Sequence, residues 1–251
     1  MSSENSSFPE HWTRVLFVHA HPDDETLSTG ALMLTLARKG VEVDLVTCTR
    51  GERGDVVAGV LPEGADEATV MTHRLGELAN AVSHLGVASH CFLGAPPASR
   101  DNQHRTYTDS GMEWIRPGLA GPASDVTESA FSVQPLLPLV DDLSAWLAVR
   151  PATAIISYDP TGGYGHPDHV RAHEVSAASA QRNGVEFWQV LPDDEPPAPG
   201  DLWADYRDHR DALVAAHDSH ASQFTRTGDL IVHVGESHQH DIRTRIGLRR
   251  A

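Results

Sequence analysis

Basic residues are scarce in this 251-residue chain: 19 Lys and Arg stand against 35 Asp and Glu, a formal net charge of −16 at pH 7. Such a field repels phosphate backbones and argues against a nucleic-acid partner. The local exception is Arg243, Arg245, Arg249 and Arg250, read as part of a solvated basic tail over 236–251. Cysteine is nearly absent. Cys48 and Cys91 each sit in an apolar run, DLVTC and HCFLG, the pattern of two buried thiols in a reducing compartment rather than of a disulfide framework. No apolar stretch approaches the ~20 residues that cross a bilayer, and no positive n-region precedes an apolar h-region. Together these absences predict a cytoplasmic protein with no membrane partner. Missing too are the G-x-S-x-G elbow of serine hydrolases, the phosphate-binding P-loop and the dinucleotide fingerprint.

What is present suits one sizeable core at this length. Apolar and β-branched runs at 14–20, 41–49, 89–94, 152–158, 186–191 and 229–234 read as strands. Helices are expected at 31–39, 68–85, 136–149, 170–181 and 202–217; on the second, Leu75, Leu78, Val82 and Leu85 share one face. The alternation predicts an α/β fold with a mostly parallel sheet flanked by helices. Residues 95–128 break into Pro, Gly, Asp and Ser and read as an irregular insertion. Residues 50–59 form a polar, substrate-facing loop and 192–200 an acidic linker. The division expected is a disordered tail over 1–13, a single domain over 14–235 and the basic tail beyond.

Two loops carry the chemistry. In HAHPDDE, His21 and Asp24 lie three apart in a tight turn and can reach one ion, since zinc takes imidazole nitrogen and carboxylate oxygen together. Taken alone, DDE at a strand–helix junction also satisfies a helix N-terminus with no metal. In GGYGHPDH, His169 closes a glycine turn that Asp168 could merely cap. The two His-Pro-Asp loops both follow strands, where parallel sheets carry their sites, and that shared placement makes the set meaningful. His21, Asp24 and His169 then form a three-ligand site with an open position, as in catalytic zinc. Asp23 is placed to take a proton, and His166 to act as acid or oxyanion stabiliser. The parts are those of metal-assisted hydrolysis of an amide or ester.

HAHPDDETLSTG, SYDPTGGYGHPDHVRAH and DSHASQ resemble the LmbE-like, or PIG-L-like, zinc-dependent N-acetylglucosaminyl deacetylases over residues 14–223, most closely the branch of mycothiol biosynthesis. The resemblance implies a Rossmann-like fold and zinc at His21, Asp24 and His169, where Fe2+ or Co2+ could also sit. It implies Asp23 as general base, His166 as acid, Asp168 as the group orienting His166, and Tyr164 polarising the acyl oxygen. Arg74 and Asp109 match positions that hold sugar or inositol hydroxyls, and Ser28 joins them as a substrate-binding residue. The partner expected is a small-molecule amino-sugar conjugate. The loop at 50–59 looks more like that of mycothiol S-conjugate amidases, which leaves that amidase reaction open beside deacetylation. A deacetylase of a natural-product amino sugar and a non-catalytic sugar binder are the other readings; a binder has no need of Asp23 or His166. His73, His84, His217, His220 and His233 are expected at the surface or core edge, and His173 as a supporting partner of His169 or an unrelated polar residue.

Overall fold

The run RVLFVH forms strand β1 (Arg14–His19), and its side chains alternate between two cores in the computed structural model, which describes residues 8–234 and 239–251. Val15 and Phe17 join one core with Leu32, Leu78 and Leu213; Leu16 and Val18 join the other with Leu143, Trp146 and Val175. Burial on both faces explains why such strands read as near-continuous apolar runs.

Along the chain follow α1 (Asp24–Arg38), β2 (Glu42–Thr47), α2 (Glu67–Leu85) and β3 (Ser89–Phe92). The hairpin β4 (Met112–Arg116) and β5 (Leu119–Pro122) precedes α3 (Leu136–Val149) and β6 (Ala154–Tyr158). A single turn α4 (Gly162–Gly165), α5 (Pro167–Asn183) and β7 (Glu186–Val190) come next. Then come β8 (Leu202–Asp205), α6 (Arg210–Ser219), β9 (Phe224–Thr227), β10 (Leu230–His233), β11 (Gln239–Asp241) and β12 (Arg245–Arg250).

Seven strands form one sheet in the order β3-β2-β1-β6-β7-β12-β8. The first five are parallel, and β12 runs antiparallel to both neighbours. Strand order reverses between β1 and β6, so the loops leaving their carboxyl ends diverge and open a crevice. Both His-Pro-Asp loops leave from there.

Five expectations change. The basic tail is no tail where it is described: Ile246 and Leu248 are buried in β12, inside the main sheet. Its arginines are matched by the acidic segment before β8, Arg249 by Asp201 and Glu195 and Arg243 by Asp193. The helix expected at 202–217 begins instead as β8, because β12 supplies a ladder partner that local periodicity cannot reveal. The insertion at 95–128 holds the β4–β5 hairpin, and the strand at 229–234 belongs to a separate three-stranded sheet. The N-terminal tail lies outside the described residues for 1–7, but its far end is packed: Trp12 is buried edge-on to Trp188, with ring centroids 5.6 Å apart. Among the described residues no helix is long and apolar enough to cross a membrane.

Candidate active site

β1 ends at His19, and the tight turn after it places His21, Asp23 and Asp24 at the mouth of the crevice, all buried. The His21 amide donates to Asp24 Oδ2 (2.8 Å), as does the Tyr158 hydroxyl at the end of β6 (2.7 Å). Tyr158 thereby ties one loop to the other strand; the sequence offers no signal for it beyond its place at a strand end.

His169, on the first turn of α5, stacks on Tyr158 with ring centroids 4.2 Å apart. Its Nδ1–H donates to the Gly162 carbonyl (3.1 Å), which leaves the Nε2 lone pair facing the crevice. Gly162 has φ +66°, and a Cβ there would lie 2.7 Å from that of His169, so only glycine permits this approach. His21 Nδ1 lies 3.3 Å from His169 Nε2 and 3.3 Å from Asp24 Oδ2, and His169 Nε2 lies 3.3 Å from the other carboxylate oxygen, Oδ1. A tetrahedral ion with bonds of about 2.0–2.1 Å holds its ligand atoms roughly 3.3–3.4 Å apart. The donor set and its spacing therefore fit a metal ion of zinc's size. His166 belongs to two further groups whose donor atoms lie close together, one with His21 and His169 and one with His21, Asp109 and Asp168. We favour the set with Asp24 because it combines nitrogen with oxygen at the spacing of a tetrahedral ion.

On the far side of His21, Nε2 faces Asp168 Oδ2 (3.2 Å) and Asp109 Oδ1 (3.7 Å). A carboxylate behind a ligating imidazole fixes its tautomer and raises its basicity. Burial opposes charge on His21, but Asp109, Asp168 and Asp24 outweigh it and hold the imidazole well above its ordinary value of 6.5. Asp168 is fixed in turn by the Ser110 amide (2.9 Å) and hydroxyl (2.5 Å). Its carboxylate thus orients His21, not His166 as expected. It reaches His166 through its backbone amide, which donates to His166 Nδ1 (3.2 Å). Neutral His166 must then carry its proton on Nε2. Burial, reinforced by His21 and His169, pushes His166 well below 6.5, so it is neutral at pH 7.

Asp23 has φ +117°, rare and strained for a side chain other than glycine. Two groups hold it. Its amide donates to Glu25 Oε2 (2.9 Å), and Arg74 Nη2 donates to its Oδ2 (3.0 Å). Arg74, expected on substrate hydroxyls, lines the cavity but is buried, its Nη1 on the Gly51 carbonyl and its Nη2 on that of Pro22 as well as on Asp23. It pins Asp23. His220 and Glu25 are missing from the expected site, yet they form a fully buried pair at 2.7 Å. His217 is buried as well, and His233 lines the cavity, its Nε2 3.5 Å from Asp23 Oδ2. DSHASQ was the available signal for His220; its partner, 195 residues away, was not legible. His173 Nδ1–H donates to the Tyr158 carbonyl (2.8 Å), a supporting position.

A cavity of 620 Å³ opens outward from these groups. Ser28, Asp109, Arg53 and Tyr164 line it, so part of the 50–59 loop does face the site. Asp109 Oδ1 also accepts from the Gly111 amide (2.8 Å), and the Ser28 carbonyl accepts from Arg243 (3.4 Å). The β4–β5 hairpin closes one side. Gly165 has φ +90°, and a Cβ there would meet the Ala120 carbonyl at 2.8 Å. Gly165→Ala is accordingly expected to cost about 1–3 kcal/mol and to displace the hairpin; chemical denaturation and kcat/KM report the two effects, and an unchanged pair of values would contradict this packing.

The fold has several solved counterparts. N,N'-diacetylchitobiose deacetylase from Pyrococcus horikoshii superposes with a TM-score of 0.59 at 20% identity, over 86% of this chain and 72% of that one. GalB, the 4-carboxy-2-hydroxymuconate hydratase from Pseudomonas putida, gives 0.55 at 18% identity over 95% of each chain. A hydratase and a deacetylase sharing the architecture means that fold alone does not decide the reaction. Among sequences, 1D-myo-inositol 2-acetamido-2-deoxy-α-D-glucopyranoside deacetylase of Kineococcus radiotolerans is 44% identical over 192 residues, 70% of this chain and 50% of that protein. The protein of the same name from Mycobacteroides abscessus is 36% identical over 248 residues, 86% of this chain and 83% of its own length. The chain spans about half the length of the first of these relatives. The family described as PIG-L, GlcNAc-PI de-N-acetylase, matches residues 16–180, the segment that carries every group of the three-ligand set. The chain belongs to the PIG-L family.

Proposed function

We propose that this chain is a zinc-dependent amidohydrolase that removes the acetyl group from an N-acetylglucosaminyl conjugate, an inositol-linked one foremost. The observation that carries the reading is the three-ligand set with its 3.3 Å spacing, flanked by a carboxylate, Asp23, that an arginine holds in place. The names of the sequence relatives supply the substrate class.

When bound at His21, Asp24 and His169, the ion supplies Lewis acidity and a water acidic enough to ionise near neutral pH. Asp23 would accept the proton of the attacking water. Because Arg74 occupies Oδ2, the proton goes to Oδ1. His166, neutral with its hydrogen on Nε2, donates a hydrogen bond to the developing oxyanion, and the proton taken by Asp23 passes on to the departing amine. Tyr164 stands beside it, ring centroids 6.1 Å apart, and would polarise the same oxygen. Asp109 and Ser28 face the sugar.

Chelation followed by dialysis is expected to abolish amine release, with zinc restoring it and Fe2+ or Co2+ substituting in part. Activity undiminished in protein shown by elemental analysis to be metal-free would end this reading. The amidase alternative differs in the acyl group alone; parallel assays with an N-acetylglucosaminyl-inositol and a mycothiol S-conjugate separate the two.

A further inference from the structure

Outward from the ligand set the cavity wall is a series of rings. Tyr164 packs edge-on to His169 with centroids 5.2 Å apart, and Trp114 lies next, 5.7 Å from Tyr164 at an interplanar angle of 32°. Trp114 and Met112 are two apart on β4, and both line the cavity. The indole is 40% exposed on a hairpin whose neighbouring residues are exposed too, so it contributes little to either core. Its place is nevertheless fixed. Trp114 pairs across the hairpin with Ala120, and the Ala120 carbonyl rests on Gly165 of the GGYGHPDH turn.

We propose that Trp114, with Tyr164 behind it, forms a subsite for the ring attached to the amino sugar, and that the chain thereby selects conjugates whose second ring is a polyhydroxylated ring with an apolar C–H face. The proposal rests on the deacetylase reading above. An acetamido group at the ligand set puts its own sugar ring beside Tyr164. The next ring out then meets Trp114. The negative face of an indole attracts the weakly positive C–H bonds on the flat side of a pyranose or cyclitol, while Glu113, held by Ser124, and Asp125, paired with Arg53, line the same cavity and keep acceptor capacity for hydroxyls at the ring edge.

The test compares wild type, Trp114→Ala and Trp114→Phe on N-acetylglucosaminyl-inositol and on N-acetylglucosamine. Trp114→Ala is expected to raise KM for the conjugate about tenfold with kcat held, and to leave N-acetylglucosamine unaffected. Trp114→Phe restores most of the loss. Calorimetry with glucosaminyl-inositol, the deacetylated product, is expected to show the same weakening without turnover. If wild type turns over both compounds and Trp114→Ala shifts both alike or neither, the subsite is overturned and the deacetylase reading stands. If wild type neither hydrolyses nor binds them, both fall.

Discussion

Asp23→Ala and Asp23→Asn are expected to keep a full complement of metal and to lose amide hydrolysis by about 10²–10⁴-fold, the usual weight of a general base. In the proposed site the ligand atoms belong to His21, Asp24 and His169, so neither substitution removes one. Both remove the carboxylate that Arg74 holds. Asparagine is the cleaner probe, because it tolerates positive φ better than most residues and keeps the shape that the +117° backbone supports. Amine release and elemental metal content, measured on one preparation, check the pair of statements. Near-normal turnover in Asp23→Asn would refute the assigned role, and loss of metal would move Asp23 into the ligand set.

His220→Ala carries the largest expected effect on stability. It leaves the fully buried Glu25 carboxylate without its partner, a change that costs about 3–5 kcal/mol and lowers Tm by roughly 6–20 °C in a chain of this size. The gap from wild type depends on pH. Burial opposes the charge on Glu25, yet His220 and the Thr26 and Asp23 donors outweigh it and hold the carboxyl at about 2 rather than 4.5. Its stabilisation is complete above 4.5 and fades as pH falls toward about 2. Burial likewise opposes charge on His220, but Glu25 raises it above 6.5. That stabilisation is complete below 6.5 and fades as pH rises through the raised value. The gap is therefore widest between pH 4.5 and 6.5. Denaturant melts across that range measure it, with His220→Gln as a variant that retains a donor; a loss below about 1 kcal/mol would show that the pair is not an ion pair. Because the Asp23 amide hangs on Glu25, part of the damage also falls on turnover.

The membership in the PIG-L family agrees with what HAHPDDETLSTG and GGYGHPDH imply as sequences. Those motifs are legible because each is local: strand, turn and helix start lie within about ten residues, and the candidate donors of one loop are brought together by that loop's own geometry. β1, β2, β6 and the helices between them are legible for a related reason, since burial on two faces imposes apolar runs and burial on one imposes helical spacing.

Only the tertiary structure decided which partner each charged group takes. Arg74 reads on its own helix as a solvated charge, which only the resemblance raises to a residue for substrate, and it turns to Asp23, 51 residues away. Asp168 neighbours His166 in the chain but holds His21. Arg249 and Ile246 read as tail until β7 and β8 flank them and Asp201 supplies the counter-charge. Spacing along a chain specifies ligands that share a turn. It is silent on contacts made across the sheet, because those depend on where the fold returns a distant segment, and in this protein such contacts hold Asp23 and His21 in position.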